Sequence, residues 1–546
     1  MSDKPLSSPM LLPRQFLRMC RAAWRRPKIA DSTGVEMTGG QLLTRALVLR
    51  RALRRLVLAE DERFVGVVLP PSAAGALVNA ALSLDRRVPV NLNYTASSDV
   101  VESCIRQCGI RHVLTSRQVV ERLRERFGLE IRAESVYLEN LRAQVTAADK
   151  ALGAAEAWAV PVAALESRLG LTDVDPNDLM TVIFTAGSTG EPKGVMLTHR
   201  NIASNIEAFR RTIHLLADDV MLGVLPLFHS FGYTVTLWTV LSLDPMGIYH
   251  YTPLEAREVG KLARKYGATI LVGTPTFLRS YLRRCEPEDF ASLDTVIAGA
   301  EALPRELADA FERKFGVRPV EGYGATELAP VVSVNIPPHR AVDPQAPPIQ
   351  EGTVGVPLVG IRAKVVDLET GESLGPGQSG MLMIAGPNVM KGYLGRADLT
   401  AEAIRDGWYV TGDVATIDER GFIKITGRLA RFSKIGGEMV PHIRIEQAII
   451  AAIGADEENV CVAVTAVADP KKGERLVVLH TALPAKPDEI CRRLAEAGLP
   501  QLWIPSPDSF FQIDQIPVLG AGKTDLKRIR SLAEQLALHR RSCTPD

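Results

Sequence analysis

The sequence lacks several features that would place a 546-residue chain outside the ordinary globular class. It has almost no net charge, since 64 basic residues face 63 acidic ones, which argues against a protein that coats nucleic acid along its length. Its seven cysteines are too few and too scattered for a disulfide framework, so we expect reduced thiols in a cytoplasmic compartment. An apolar fraction of 46% beside a charged fraction of 23% excludes general disorder.

The chain also lacks a secretory signal pattern at its start and an uninterrupted apolar run of membrane-spanning character. The stretch Met221–Leu243 contains no Lys, Arg, Asp or Glu and is long enough to cross a bilayer. Pro226, His229, Ser230 and Gly232 interrupt it where a spanning helix would be most apolar. This pattern predicts a buried strand, a turn and a buried helix.

Charge is unevenly distributed, because residues 1–60 carry 12 basic and four acidic side chains, a net charge of +8. Leucines alternate with several of these arginines at near-helical spacing and predict a basic amphipathic helix: Leu42, Leu43, Leu47, Leu49 and Leu53. One interpretation is a solvated basic face above buried leucines. The other is attraction to the anionic inner face of a membrane, as a peripheral contact, or to an acidic protein partner.

Strand-like and helix-like segments alternate over the first 345 residues. Short β-branched runs such as Phe64–Leu69 and Thr295–Ala298 neighbour helical patterns such as Arg257–Tyr266. This alternation predicts an α/β fold with parallel sheets covered by helices. Turns rich in Pro and Gly then separate short strands and predict a small β-rich subdomain at about 345–427. A mixed α/β pattern returns afterwards, and we place a domain boundary at 428–431.

The strongest local signal is the segment Thr185–Gly194, which directly follows an apolar run. Backbone N–H groups, hydroxyls and one cation can converge there on phosphate oxygens. The segment is not a Walker loop, because its lysine follows Pro192 rather than glycine. It predicts a phosphate-binding loop with these candidate residues: Thr185, Ser188, Thr189, Gly190 and Lys193.

This loop is similar to the signature loop of the AMP-forming, adenylate-forming ligase superfamily, which includes acyl-CoA and acyl-carrier-protein synthetases. Segments that resemble five further motifs of the family follow in the family's order: Pro226–Ser230, Gly322–Glu327, Tyr409–Asp413, Gly427–Arg428 and Pro517–Lys523. The resemblance implies a large N-terminal domain, 1–427, with two helix-covered β-sheets and the β-rich subdomain. It further implies a hinge at 428–431 and a small, mobile α+β C-terminal domain, 432–546.

The resemblance also implies a two-step reaction with ATP, Mg²⁺ and a thiol, supplied by CoA or by the phosphopantetheine of an acyl carrier protein. A carboxylate attacks the α-phosphate of ATP, and the thiol then displaces AMP from the acyl-adenylate. Lys523 can bridge the carboxylate and α-phosphate, Glu327 can hold Mg²⁺, and Thr326 can donate to the α-phosphate. Residues expected to surround the adenosine are Gly299, Ala300, Glu301, Gly322, Tyr323, Gly324, Asp413 and Arg428.

Three further candidate positions are His229, Lys434 and Arg431. In isolation, the flanking aromatic residues would favour a buried core histidine at His229, whereas the family motif implies a role at the acyl carboxylate or pocket gate. Lys434 falls where several relatives place a lysine that faces the site during thioester formation. Arg431 occupies the hinge position, where relatives commonly carry aspartate or lysine, and is therefore a departure from the family pattern.

The segments Phe432–Val440 and Ile516–Asp525 resemble the synthetase half of the bacterial bifunctional 2-acylglycerophosphoethanolamine acyltransferase/acyl-carrier-protein synthetase. The chain begins near the start of the ligase half, so we expect only ligase activity, on a medium- or long-chain fatty acid. An acidic carrier protein would be attracted by the basic N-terminal segment or by basic residues near the C-terminus: Lys527, Arg528 and Arg530.

Two alternatives stay open at this point. Activation of an aryl or amino acid is disfavoured, because no aspartate stands where an α-amino group would commonly be met. A catalytically silent nucleotide-binding protein is disfavoured because the chain retains four residues suited to the chemistry: Thr326, Glu327, Asp413 and Lys523.

Overall fold

The computed structural model describes residues 10–185, 191–435, 438–454, 462–469, 473–517 and 525–542. The chain divides into two compact units. The first comprises Met1–Thr411 and Thr416–Lys424, and the second comprises Gly412–Ala415 and Ile425–Asp546. The predicted boundary at 428–431 lies shortly after Ile425.

Fourteen α-helices are described in the first unit, and several start at a Ser or Thr side chain that accepts a hydrogen bond from the first turn. They are α1 Leu12–Ala22, α2 Gly39–Leu56, α3 Ala73–Leu84, α4 Ser98–Cys108, α5 Arg117–Phe127, α6 Leu138–Ala143, α7 Ala147–Trp158, α8 Val162–Arg168, α9 His199–Thr212, α10 Thr239–Ser242, α11 Ala256–Tyr266, α12 Pro275–Arg284, α13 Arg305–Phe315 and α14 Ala397–Ala403.

The strands that lie wholly in the first unit are short, and nearly all of them contain a β-branched residue. They are β1 Pro27–Asp31, β2 Glu36–Thr38, β3 Phe64–Val67, β4 Val88–Asn91, β5 His112–Thr115, β6 Glu134–Tyr137, β7 Leu179–Thr185, β8 Lys193–Thr198, β9 Val220–Gly223, β10 Met246–Tyr249, β11 Ile270–Gly273, β12 Thr295–Ala298, β13 Val320–Gly324, β14 Val331–Val334, β15 Val356–Pro357, β16 Arg362–Val366, β17 Gly380–Ala385, β18 Gly392–Tyr393 and β19 Ile404–Arg405.

The largest sheet has nine strands in the order β15-β14-β13-β12-β11-β9-β10-β1-β2. Strands β13, β12, β11, β9, β10 and β1 run parallel to one another, and β14 and β2 flank them as antiparallel neighbours. Helices α11, α12 and α13 bury apolar side chains such as Val259, Leu278 and Phe311 against this sheet. A second sheet is wholly parallel, in the order β4-β3-β5-β6. The predicted α/β fold is confirmed.

The uncharged stretch Met221–Leu243 forms the predicted strand, turn and buried helix. After β9 and a turn, the helix Phe231–Trp238 is a π-helix, and the N–H of Thr239 bonds to the carbonyl of Thr234, five residues earlier. Gly232 permits this geometry, because a Cβ there would lie 2.3 Å from the Pro226 carbonyl oxygen. Among the described residues, no helix has both the length and the apolar character needed to cross a membrane.

Helix α2 is the predicted basic amphipathic helix. Leu42, Leu43, Leu47 and Leu53 are at most 1% exposed, so its apolar stripe faces the protein core. Its arginines pair with acids on neighbouring elements: Arg50 with Asp85, Arg51 with Glu156, and Arg55 with Asp149. The structure therefore agrees with the interpretation in which a basic face covers buried leucines.

Two strands, β20 Trp408–Ile417 and β21 Ile423–Arg428, contain residues of both units. They belong to a five-stranded sheet in the order β16-β17-β20-β19, with β21 beside β20. The second unit continues with β22 Phe432–Ile435, β23 Glu438–Pro441, α15 His442–Ile453, β24 Val462–Asp469, β25 Gly473–His480, α16 Pro487–Glu496, β26 Phe510–Gln512 and α17 Leu526–Ser542. Its sheet has the order β23-β22-β25-β24, with β26 beside β25.

Candidate active site

Four parallel strands of the nine-stranded sheet, β9, β11, β12 and β13, end side by side. His229 lies on the segment after β9, Gly299–Glu301 follow β12, and Thr326 and Glu327 follow β13. In open α/β sheets, ligands bind outside the carboxyl ends of parallel strands. The fold therefore gathers these predicted site residues of the first unit at one edge.

The predicted phosphate loop joins two paired strands. Strands β7 and β8 are antiparallel, and Thr185 is paired with Lys193, so the two ends of the loop are fixed opposite each other. Three predicted loop residues lie outside the described residues: Ser188, Thr189 and Gly190.

A chain of three side chains connects the end of this loop to the predicted magnesium ligand. The Lys193 ammonium lies 5.0 Å from the centre of the Tyr393 ring, a cation–π distance. The Tyr393 hydroxyl donates to Oε1 of Glu327 at 2.8 Å. Strand β18 positions Tyr393, because it pairs antiparallel with β8, with Tyr393 opposite Val195. The loop lysine and Glu327 thus share one intermediate, Tyr393.

The surroundings of Glu327 are only partly open to water. Burial, reinforced by the negative charge of Glu327, raises the pKa of the Tyr393 hydroxyl above its usual value. The same two causes, in the same order, raise the pKa of Tyr409. Both phenols therefore stay protonated at neutral pH, and Tyr393 acts as a hydrogen-bond donor to the carboxylate.

A second contact joins the histidine motif to the motif that carries Glu327. The Ser230 hydroxyl donates to Oγ1 of Thr326 at 3.2 Å, and Ser230 is 5% exposed. Its neighbour His229 is exposed, with its ring centre 4.6 Å from that of Phe228. The interpretation of His229 as a buried core histidine is therefore wrong: the turn before the π-helix presents the imidazole at the surface of this edge.

The segment after β12 has an unusual backbone. Ala300 adopts a left-handed conformation with φ +70°, which a residue with a Cβ rarely takes. Before it, Gly299 leaves room for the Phe231 ring, because a Cβ there would lie 3.1 Å from Cε1 of Phe231. After it, Glu301 is exposed and accepts a hydrogen bond from Thr276 at 2.8 Å. Adenine and acyl groups could approach closely here.

Strand β13 and its turn position the predicted adenine residues. Gly322 and Tyr323 pair with Val334 and Ser333 of β14. A Cβ at Gly324 would lie 2.2 Å from the Pro330 carbonyl oxygen, so only glycine fits the start of the turn that leads to Thr326. Tyr323 is half-buried, which leaves part of its ring available to a ligand.

The second unit carries the predicted ribose residues. Asp413 is 3% exposed, and Nε of Arg428 donates to its Oδ1 at 2.7 Å. Because the arginine holds one carboxylate oxygen, the carboxylate is oriented, and it can accept hydrogen bonds from vicinal hydroxyls through its remaining lone pairs. The structure brings together the two residues that the motifs placed around the ribose.

Two other predicted residues of the second unit, Arg431 and Lys434, lie in the described part of the chain. The Arg431 guanidinium forms an ion pair with Glu446 of α15, and the other oxygen of Glu446 accepts from the Val464 N–H at 2.6 Å. Lys434 lies on β22 with an exposed side chain. Lys523 lies outside the described residues.

The donor set around Glu327 fits magnesium, which prefers oxygen ligands and usually retains waters and substrate phosphates. One carboxylate with a fixed orientation is the contribution such an ion commonly takes from a protein. Among the described residues, no group of three or more His, Cys, Asp and Glu side chains is arranged to hold a metal ion by itself. Glu327 would be a protein ligand of the ion, beside waters and phosphate oxygens of the nucleotide.

Two residues of this site were missed by the motifs. The motifs predict no separate role for Ser230, which stands within the histidine motif, and no role for Tyr393. A two-residue strand, Gly392–Tyr393, carries no periodic signal, and its pairing with β8 spans almost 200 residues. The Gly392–Tyr393 pair is itself the one local sequence feature that distinguishes this position.

Comparison with known proteins places the chain in a family. The family model described as AMP-binding enzyme matches residues 18–394, and the chain belongs to this family of adenylate-forming enzymes.

Curated relatives include the long-chain-fatty-acid–CoA ligase of Bacillus subtilis, which is 31% identical over 381 residues, 68% of this chain and 64% of that protein. The feruloyl-CoA synthase of an Amycolatopsis species is 32% identical over 352 residues, 64% of this chain and 68% of the relative. The chain spans just under two thirds of the length of the fatty-acid ligases it matches.

Solved structures match nearly the whole chain. ATP-bound MatB from Rhodopseudomonas palustris is 25% identical, with a TM-score of 0.76. The match covers 96% of this chain and 99% of that one. The o-succinylbenzoate–CoA synthetase of Bacillus subtilis, in complex with its acyl-adenylate, is 20% identical, with a TM-score of 0.76 and coverage of 96% and 98%. At 20% identity, the likeness to the o-succinylbenzoate–CoA synthetase shows the fold alone.

Proposed function

We propose that this protein is an AMP-forming acid–thiol ligase that activates a fatty acid as acyl-AMP and passes the acyl group to a pantetheine thiol. The observation that carries the proposal is the connection from Lys193 through Tyr393 to Glu327 at the strand edge that also holds Thr326. Adenylation needs groups that recognise phosphate, a ligand that binds the metal ion and a hydroxyl donor. The fatty-acid ligases among the relatives support the class of acid.

In the first step, an oxygen of the fatty carboxylate forms a bond to the α-phosphorus of ATP, and the bond to the leaving pyrophosphate breaks. Thr326 and the loop with Lys193 are suited to donate to phosphate oxygens, and Glu327 would hold Mg²⁺. Magnesium, when bound, would neutralise charge on the phosphates. Lys523 would bridge the carboxylate and the α-phosphate, as the C-terminal motif implies.

In the second step, the pantetheine thiol, as its thiolate, attacks the acyl carbonyl, and AMP leaves with the electron pair of the broken bond. We assign Lys434, exposed on β22, to this step. The two steps need different groups at one site, which a rotation of the C-terminal domain at 428–431 would provide. His229, exposed beside Phe228, would face the acyl carboxylate or gate its pocket.

The acceptor thiol is either CoA or the prosthetic group of an acyl carrier protein. The CoA ligases among the relatives favour CoA. The C-terminal motifs favour a carrier protein, and three exposed basic residues of α17 offer an acidic partner a docking site: Lys527, Arg528 and Arg530. A cytoplasmic location with a peripheral membrane contact is part of the same proposal.

Activation of an aryl acid is the second candidate, because the relatives include a feruloyl-CoA synthase and a 4-coumarate–CoA ligase. The Phe231 ring, which packs on Gly299, offers an aromatic wall that either kind of acid could contact.

One experiment separates these proposals. The full chain is incubated with ATP, Mg²⁺ and a panel of C2–C18 fatty acids and hydroxycinnamic acids, and acid-dependent ATP–pyrophosphate exchange is measured. Thioester formation is then measured with CoA and with carrier protein. Exchange that rises with fatty-acid length supports the proposal. Preference for a cinnamic acid would support the aryl alternative, and the absence of exchange with every acid would support a silent nucleotide-binding protein.

A further inference from the structure

Helix α7 presents an unusually apolar outer face. Its exposed residues include Leu152 and Trp158, whose exposed fractions are 48% and 73%. The other members of this face are small and apolar, and the whole set, here named the α7 surface, is Ala147, Ala148, Ala151, Leu152, Ala154, Ala155, Trp158 and Ala159. Single exposed apolar residues are ordinary, but a continuous helix face with an exposed tryptophan marks a binding surface.

The opposite face of α7 is fully used by the fold. Gly153 lies so close to α2 that a Cβ would be 2.5 Å from Cγ2 of Val48. Both acids of the helix also turn toward α2, where Asp149 pairs with Arg55 and Glu156 with Arg51. The packing therefore accounts for the inner face and leaves the apolar outer face without a structural purpose in the described chain.

The exposed charges of the chain segment that carries the α7 surface have one sign. From residue 141 to residue 168, the exposed charged side chains are Arg142, Lys150 and Arg168. The acids of this stretch are all paired with arginines of α1 or α2, as Glu166 is with Arg14.

A further cation lies at the C-terminal end of the helix. The Arg21 guanidinium donates to the carbonyl oxygens of Trp158 at 3.0 Å and of Val160 at 2.7 Å. An apolar face is thus bordered by cations.

We propose that the α7 surface is where this protein rests on an anionic lipid bilayer. Tryptophan favours the boundary between lipid headgroups and hydrocarbon, small apolar side chains enter it at little cost, and surrounding Lys and Arg side chains are attracted to anionic headgroups. The basic helix α2 contributes charge beneath this face, whereas its leucines are buried and cannot enter a membrane.

Two other occupants fit the observations less well. In a two-fold dimer built on this face, Arg142, Lys150 and Arg168 of one copy would lie close to the same cations of the other. An acidic carrier protein would pair with the cations themselves and would leave the central alanines and Trp158 without a partner. A bilayer alone matches both the apolar centre and the basic border.

Membrane binding through the α7 surface does not require the ligase activity, but it would matter for where that activity finds its substrate. If the protein acts on long-chain acids, as proposed above, its substrate is concentrated in the same bilayer. Vesicle binding and pyrophosphate exchange are separate measurements, so failure of one proposal is distinguishable from failure of the other.

The test is co-sedimentation of the full chain with vesicles of phosphatidylglycerol and phosphatidylcholine, and with vesicles of phosphatidylcholine alone. We expect binding to the anionic vesicles that weakens as salt is raised. The variant Leu152→Glu/Trp158→Glu should lose about tenfold or more of this binding. The matched control is Leu216→Glu/Leu254→Glu, at positions 50% and 48% exposed, which should bind as the wild type does.

A second measurement reports on Trp158 directly. Brominated lipids in the vesicles should quench part of the tryptophan fluorescence of the wild type, and this quenching should be lost in Trp158→Phe although that variant still binds.

Exchange activity with a water-soluble C8 acid, unchanged in all variants, confirms that they are folded. The proposal is overturned if the wild type ignores anionic vesicles or if both double variants bind alike. It is equally overturned if Leu152→Glu/Trp158→Glu instead dissociates a dimer or abolishes capture of a carrier protein.

Discussion

The hydroxyl of Tyr393 donates to the carboxylate of Glu327 at 2.8 Å, although 65 residues separate the two in sequence. The same tyrosine ring lies under the Lys193 ammonium. One aromatic side chain thus contacts both the cation proposed to bind phosphate and the carboxylate proposed to bind magnesium, and it couples two motifs that the sequence presents as independent.

Tyr393→Phe tests this coupling. Loss of a hydrogen bond to a charged group costs about 1.5 kcal/mol, so we expect roughly a tenfold loss of kcat/KM for MgATP in pyrophosphate exchange. The loss should come with a higher Mg²⁺ requirement, because Glu327 would no longer be oriented. The matched control is Tyr251→Phe, since the Tyr251 hydroxyl also donates to a glutamate, Glu255, at 2.6 Å. Equal effects of the two substitutions would mean that Tyr393 has no special role.

Lys523→Ala is expected to abolish the first half-reaction. An ammonium that bridges the carboxylate and the α-phosphate stabilises charge in the transition state, and its loss should lower pyrophosphate exchange by at least about a hundredfold. Thiolysis of supplied acyl-AMP should continue. Lys527→Ala, four residues later, serves as the control. Normal exchange in Lys523→Ala would remove the assignment.

Lys434→Ala should give the reverse pattern. Pyrophosphate exchange should persist, whereas thioester formation from supplied acyl-AMP should fall, because we assign this exposed lysine to the second step. Lys424→Ala replaces another exposed lysine on a strand and should affect neither step. If both half-reactions fall together in Lys434→Ala, the separate role is wrong.

The ion pair between Arg431 and Glu446 should stabilise the C-terminal unit. Both side chains are largely buried, at 10% and 15% exposure, so Arg431→Met would leave a buried carboxylate without its partner and cost about 3 kcal/mol. The double variant Arg431→Met/Glu446→Gln should recover part of this loss.

Urea unfolding of the full chain, followed by circular dichroism, measures these effects. Arg492→Ala breaks an exposed pair with Glu496 and should cost less than about 1 kcal/mol. A small loss in Arg431→Met, similar to that control, would contradict a stabilising role.

His442 should make stability sensitive to acid. Burial, together with Arg431 and Arg530, lowers the pKa of its imidazole from 6.5 to about 3. The unfolded chain therefore binds more protons than the folded chain between these values, so stability is lost as the pH falls below 6.5. The slope contributed is at most about 1.4 kcal/mol per pH unit.

His442→Gln should flatten that part of the stability curve, as urea unfolding between pH 4 and 7 would measure. The glutamine amide can still bond to Ser433, whose Oγ lies 2.7 Å from Nε2 of His442. Parallel curves for the wild type and the variant would show that this imidazole does not control the acid response.

The sequence predicted the parts of the fold that depend on local patterns. The strand Thr295–Ala298 occurs as predicted, and the helix predicted at Arg257–Tyr266 begins only one residue earlier. The interrupted apolar stretch Met221–Leu243 became a strand, a turn and a helix, although nothing in its composition distinguishes a π-helix from an α-helix.

Contacts between distant residues could not be predicted in this way. The motifs named Glu327 and Arg431 but not Tyr393 as the partner of the first or Glu446 as the partner of the second, because both partners are supplied by tertiary structure. At His229 the apolar neighbours alone favour burial, whereas the structure exposes the side chain, and the role that the family motif implies stays a prediction.

The π-helix Phe231–Trp238 has a further consequence for how this family can diversify. Each of its backbone hydrogen bonds spans five residues, one more than in an α-helix. If one residue of this helix were deleted, the backbone hydrogen bonds could re-form in the α-helical pattern. The strands on either side would be kept. Chain length, rather than side-chain replacement, is therefore a route by which the wall beside the exposed imidazole can be reshaped while the strands on either side stay as they are.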